Sequence, residues 1–334
     1  MWNPATHGSA LIKTLPSRGN VRRWGFGKGY SAVIHFEKGE GLDRRIQEAA
    51  ALCHGVFAHE IFSAGEAWLR RGIFDCWYYD PNLVRVAIEG DRVVGLAVGD
   101  VRTRNDATFA SLKIIVVHPD YRGRGIATQM LAEIERGAAA KGAERIVVCD
   151  GWPLYFFDGV NCRQTQALIF FGRRGYESLG FGFHLEAALA DNPLIDQPDP
   201  PLPKGIVVRR ARPEDRERTL VAIERMFSKA WWFETSLAFR ASEPTVYIAE
   251  RDGEVVGFAD YDATNFGLFG PTGVHESLRG RKVGAVLLRR CLRDMQALGY
   301  PYALIPTNLE RLNFYYREGG ATVGRLFLRF QKKL

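Results

Sequence analysis

Two stretches of this chain repeat one another in the same order, and the repeat constrains the fold more than any single motif. Residues 117–127 read VHPDYRGRGIA and residues 274–284 read VHESLRGRKVG; upstream, IEGDRVVGLA at 88–97 is echoed by ERDGEVVGFA at 250–259. One such match can arise by chance, whereas two in the same order indicate a duplicated unit. The upstream pair runs from a β-rich stretch through an Asp/Gly turn into another, which is a hairpin pattern. The shared order is helix, hairpin, apolar strand, Arg/Gly loop, amphipathic helix, strand, helix, strand. In the first copy the apolar run 108–117 stops at His118-Pro119, because proline cannot continue a ladder. Ile126, Met130, Leu131 and Ile134 then recur at helical spacing over 126–140, followed by a strand at 145–149 and a helix over 163–174. The second copy supplies strands at 269–274 and 302–305 and helices over 283–298 and 308–318.

Between the copies, residues 191–205 (DNPLIDQPDPPLPKG) hold five prolines and read as an extended linker. The expected division is therefore 1–190, linker, and 206–334, with residues 1–30 an unpatterned Gly/Arg-rich extension. A 334-residue chain also exceeds the size at which one core keeps growing. The net charge of +7 comes from scattered basic pairs rather than a stripe, which excludes a nucleic-acid partner and leaves room for an anionic ligand. Five cysteines without a CxxC pair predict reduced thiols and no metal site. No apolar leader and no run of ~18 apolar residues occurs, so a cytoplasmic protein without a membrane partner is expected, as monomer or homodimer.

The loop Arg122-Gly123-Arg124-Gly125-Ile126-Ala127 lies between an apolar strand and a helix start. Glycines let backbone approach a ligand, and the first helical amides lack intrahelical partners and face an anion with the positive dipole end. The arrangement is a pyrophosphate cradle; the alternative is a turn that only caps the helix. Neither GxxxxGK[ST] nor GxGxxG occurs.

With the hairpin before it and the strand–helix–strand after it, the R-x-x-G-x-A loop at Arg122, Gly125 and Ala127 resembles the acetyl-CoA loop of the GNAT N-acetyltransferase superfamily. The resemblance covers 30–190 and 206–334 and extends to the glucosaminide N-acetyltransferase-like tandem proteins. It implies an α/β (mixed α+β) fold of two tandem domains. Each would be a mixed, mostly antiparallel sheet whose central parallel strands splay apart, flanked by helices. It implies acetyl-CoA as cofactor, amides near Val116 and Val117 or Thr272, Gly273 and Val274 at the thioester, and direct transfer to a small-molecule primary amine. In the second copy the loop is Arg279-Gly280-Arg281-Lys282-Val283-Gly284, with Lys282 where the first has Gly125, and Asn308 follows the next strand.

The family places a tyrosine on the last helix as general acid. The second copy offers Tyr315 and Tyr316, with Tyr315 preferred; the first has Phe171 there, which cannot donate a proton. The run Trp152–Asn161 looks like a stretch in tandem relatives, some of which acetylate glucosamine or glucosaminides. Trp152 and Tyr155 would stack on a sugar and Asp158 would accept from its hydroxyls or amine, unless the loop merely closes the core. Asp150 is the first-copy candidate base; Asp260, Asp262, His275 and Glu310 are weaker ones in the second. The rival functions are a CoA-binding sensor without turnover, or acetylation of a protein lysine, polyamine or antibiotic.

Overall fold

The computed structural model describes residues 33–58, 60, 65–104, 106–149 and 154–334. The first half contains β1 (Ile34–Lys38), α1 (Ile46–Phe57), α2 (Glu66–Phe74), β2 (Val84–Glu89), β3 (Arg92–Arg104), β4 (Ala107–Val117), α3 (Ile126–Ala140), β5 (Arg145–Val148), β6 (Val160–Asn161), α4 (Thr165–Gly172) and β7 (Glu177–Ala188). A one-turn helix α5 (Pro193–Asp196) leads to β8 (Ile206–Arg210), α6 (Arg216–Met226), α7 (Lys229–Ala238), β9 (Val246–Arg251), β10 (Glu254–Tyr261) and β11 (Phe269–Val274). Then follow α8 (Val283–Ala297), β12 (Tyr302–Thr307), α9 (Leu312–Gly319) and β13 (Thr322–Lys333). Both halves have the mixed, mostly antiparallel arrangement expected, with helices against the sheets.

The periodicities account for the elements that frame the loops. In α3, Ile126, Met130, Leu131, Ile134 and Ala138 are buried, a stripe at three- and four-residue spacing that lies on β2–β4. In α8 the stripe runs through Val283, Val286, Leu287, Cys291 and Met295. Strand β4 pairs with β3 through Val117, but with parallel β5 only from Ala110 to Leu112. Beyond Leu112 that edge of β4 has no strand beside it among the described residues. In the second half the gap is wider: among the described residues the single bridge there pairs Leu268, just before β11, with Leu304 of β12 in parallel.

The repeat does not disclose how the halves share strands. Strand β13 is last in the chain, yet it lies between β5 and β7, pairing Phe330 with Val148 on one side and Leu326 with Phe183 on the other. The far edge of β7 pairs with β12 of the second half, Leu304 opposite Glu186. The order β1-β2-β3-β4-β5-β13-β7-β12 is thus one sheet built from both halves, beside a second sheet β11-β10-β9-β8. Gly182 is required at this seam, because a Cβ there would lie 2.1 Å from the Asp158 carboxylate.

The proline-rich segment is fastened to the second half and not simply extended. Asn192 caps α5 and donates to the carbonyls of Ala188 and Gly319 at 2.8 and 3.0 Å. Asp199 receives Arg290 at 2.9 Å and Arg293 at 2.7 Å. No helix among the described residues is long and apolar enough to cross a membrane.

Candidate active site

The gap between β4 and β5 opens into a cavity of about 470 Å³. One end is the loop: Arg122, Gly123, Gly125, Ile126 and Ala127 line it, and Val116 and Val117 form the wall that follows β4. Gly123 and Gly125 have φ of 79° and 83°, the left-handed region that side chains rarely adopt. Gly125 is the N-cap of α3, so the free amides of the first turn open toward the loop. Arg174, just after α4, also lines the cavity; it stacks 3.8 Å from the Phe170 ring and donates to Thr128 in the first turn of α3. Arg124 turns away, over Tyr121 at 4.7 Å and toward Glu89. The other end of the cavity is formed by Cys149, Phe157, Asn161, Gln164 and Glu60. Unpaired amides, αL glycines and two guanidinium groups suit a pyrophosphate, and the apolar gap suits a pantetheine arm.

Phe171 is 2% exposed and packs against Tyr176 and Phe330, with ring centroids 5.2 and 5.7 Å apart. It is a core residue that holds β13 against the first half, and its ring offers no proton.

In the second half the loop keeps its shape: Lys282 caps α8 at φ 66°, an αL conformation borne by a side chain. Its Nζ donates to Glu318 at 2.6 Å, and Glu318 also pairs with Arg289 at 3.1 Å. Glu318 follows Tyr315 by three residues as Arg174 follows Phe171, so a carboxylate stands where the first half has a guanidinium. Arg279, Gly280 and Arg281 are exposed, Val283 is core, and Gly284 faces Phe314.

Beyond that loop, between β11 and β12, lies a cleft of about 440 Å³. Tyr315 lines it at 6% exposure, and burial pushes its phenol up to about 12. Tyr316 is 63% exposed on the solvent-facing side of α9. The adjacent pair is thereby separated into one cleft residue and one surface residue. Thr272 and Asn308 also line the cleft, whereas Gly273 packs under Phe227 and Val274 joins the core around α8. Tyr155 and Asp158, from the loop before β6, and Arg329, from β13, close the cleft, and Arg329 donates to the Asp158 carboxylate. Cys149 lines both clefts. Asp150 and Trp152 lie outside the described residues, as do residues 1–30.

Of the second-half base candidates, Asp262 is occupied by the Gly267 amide at 2.6 Å and the Tyr300 hydroxyl at 3.0 Å. His275 binds Ser277 within its own turn, and Glu310 is exposed. Asp260 is buried behind the cleft. Among the cleft residues that escaped the sequence reading are Trp231, Glu234, Arg311 and Arg329. Glu234 had a signal, as the sole carboxylate in the otherwise uncharged stretch Ala230–Ala238.

Comparison with known proteins agrees with this geometry. A model described as "Acetyltransferase (GNAT) family" matches residues 45–152 and again 209–320. The mycothiol acetyltransferase of Frankia casuarinae is 28% identical over 190 residues, 54% of this chain and 50% of that protein. The chain spans about half the length of the curated relatives it matches. A GCN5-related glucosamine N-acetyltransferase region of a fungal multi-domain GH3 β-N-acetylglucosaminidase superposes with TM-score 0.67, at 16% identity over 91% of this chain and 38% of that one. A tandem GNAT protein from the clavulanic acid biosynthesis pathway gives TM-score 0.66, at 15% identity over 90% and 98%. At such identities these structures speak for the fold alone. With its family pattern matched twice along a duplicated architecture, the chain belongs to the acetyltransferase (GNAT) family as a tandem of two such units.

Proposed function

We propose that the chain is an acetyl-CoA-dependent N-acetyltransferase that acylates a primary amine in the second cleft, within a ternary complex. The observation that carries this reading is Tyr315, a buried phenol between splayed strands. Its hydroxyl stays protonated at neutral pH and can protonate a leaving thiolate, whose thiol ordinarily has a pKa of ~8.5. When bound, acetyl-CoA supplies an acyl group activated for attack by nitrogen. The amides of Arg279–Gly284 would hold its pyrophosphate, and the free edge of β11 near Thr272 would meet the negative charge that develops on the carbonyl oxygen. The first cleft, with Phe171 in place of a tyrosine, would hold acyl-CoA without turning it over.

The acceptor in this reading is an amino sugar. Tyr155 and Trp231 offer faces for a ring, and Asp158 and Arg329 offer partners for hydroxyls. A second reading is favoured by Cys149, which lines both clefts: the thioester of a donor seated in the first cleft would reach past that residue to an amine held in the second, whose nitrogen would form the N–C bond as the C–S bond breaks and CoA leaves as the thiol. The test is thiol release from acetyl-CoA with glucosamine, short glucosaminides, a lysine peptide, spermidine and an aminoglycoside at equal concentration. Preference for glucosamine or glucosaminides, reduced by Tyr155→Ala, is expected. Preference for the lysine peptide or spermidine discards the sugar, and no release with any amine discards the enzyme.

A further inference from the structure

Two carboxyl groups stand at the back of the second cleft, and the donor site uses neither. Glu234 on α7 lines the cleft but is 5% exposed, and its carboxyl has no hydrogen-bond partner among the described residues. Asp260 on β10 is fully buried; the Thr235 hydroxyl donates to its Oδ2 at 2.7 Å, while its Oδ1 has no partner. The local sequence makes this placement. Ser228 accepts from the Trp231 amide and starts α7, whose buried face then carries Phe233, Glu234, Leu237 and Ala238 together. Burial, and then the neighbouring Asp260, holds Glu234 well above the usual carboxylate range; burial does the same to Asp260. Two such groups behind one opening do not both ionise without a compensating cation.

We propose that Glu234, backed by Asp260, is the proton acceptor for the substrate amine, and that the pair selects a protonated primary amine by lacking a positive partner of its own. The inference rests on the second cleft being the transfer site. An ammonium group entering beside Glu234 stabilises the ionised carboxylate, takes the place of the missing partner, and gives up one proton through Glu234 to solvent. The neutral nitrogen then forms the N–C bond as the C–S bond breaks. Its second proton passes to Glu234, the Tyr315 proton passes to sulfur, and Glu234 returns a proton to the phenolate. One proton is released overall.

The surroundings fit this role. Asp158 is neutralised by Arg329 on the far wall, and Arg311 stands at the entrance before α9. Behind Asp260 the titratable neighbour is Cys291 of α8, a thiol that burial and Asp260 keep protonated. Helix α6 packs on α7 and β10 with the uncharged Thr219, Ala222 and Ile223. No fixed cation therefore reaches the pair from within the fold among the described residues.

The test is the pH dependence of kcat and KM at saturating acetyl-CoA for the unmodified chain, Glu234→Gln, Asp260→Asn and Tyr315→Phe, with circular dichroism to confirm folding. In the unmodified chain kcat should rise with pH along a limb above the ordinary carboxylate range. Glu234→Gln should lose that limb and at least ~10²-fold in kcat. Asp260→Asn should move the limb to lower pH, because the neighbouring negative charge is gone, a displacement that a merely structural residue does not produce. Should Glu234→Gln fail to fold, Glu234→Asp is expected to keep the limb with a lowered kcat, and an unchanged kcat there overturns the role. A Glu234→Gln profile like that of the unmodified chain, beside a collapse in Tyr315→Phe, overturns this inference alone. Full turnover in both variants overturns the reading of the cleft as well.

Discussion

The first loop reads Arg-Gly-Arg-Gly and the second Arg-Gly-Arg-Lys, and both place their N-cap residue in the αL region, at φ 83° and 66°. The backbone cradle has been kept while the charge around it has been reversed. Arg174 faces the first loop; Glu318 occupies the second and draws both Lys282 and Arg289 onto itself. The last helices differ in one atom: Phe171 and Tyr315 are both buried and each lines the cleft of its own half, but only the second carries a hydroxyl. A duplicated fold can hold its geometry through backbone conformation and apolar stripes while single side chains divide binding from chemistry.

The largest effect should come from separating the halves. A chain ending at residue 205 lacks β13, which leaves β5 and β7 without their shared neighbour and Phe171 without Phe330. Loss of one large core aromatic alone costs about 3–5 kcal/mol, against a whole-domain stability of roughly 5–15 kcal/mol. The fragment is expected to lack a cooperative thermal transition by calorimetry. A sharp transition would mean that the halves are independent after all.

Next in size is the acid. Tyr315→Phe should lower turnover by ~10²–10⁴-fold while leaving acetyl-CoA affinity nearly intact, because only protonation of the leaving group is lost. Tyr316→Phe, on the exposed side, should change neither. A collapse in Tyr316→Phe would reverse the assignment, and normal turnover in both would place the chemistry elsewhere.

Gly125→Glu tests the first cleft. An αL position given to a side chain costs the loop about 1–3 kcal/mol of stability, and the added carboxylate repels pyrophosphate where the first helical amides would receive it. Calorimetric titration should lose its tighter acetyl-CoA isotherm while turnover persists. Survival of that isotherm sinks the loop assignment; loss of turnover with it favours delivery past Cys149.

The smallest effect is expected at Glu318→Gln, which frees Lys282 for phosphate. Pairs of this partly exposed kind are worth about 0.2–1 kcal/mol, so the second site should tighten by up to about fivefold. No change would show that Glu318 does not compete with the donor.

The order of elements from each hairpin onward, both loops, the buried faces of α3 and α8 and the position of the aromatic pair were legible in the sequence, whereas the opening strands β1 and β8 and the second helices α2 and α7 were not. Each legible feature depends on spacing along one stretch of chain: 3.6-residue periodicity, glycine before a helix start, proline after a strand. What lay beyond the sequence depends on residues far apart in it. The choice between Tyr315 and Tyr316 needed the direction of α9 against β11 and β12, since neighbours on a helix point about 100° apart whichever one is buried. Glu318 against Lys282, Arg329 against Asp158 and Glu234 before Asp260 are encounters across 36, 171 and 26 residues, which no local stretch of sequence discloses. The crossing of β13 into the first half is of the same kind. A strand's alternation declares that it will be buried in a sheet, but hydrogen-bonding edges carry no address, and only the packed molecule decides which sheet receives it.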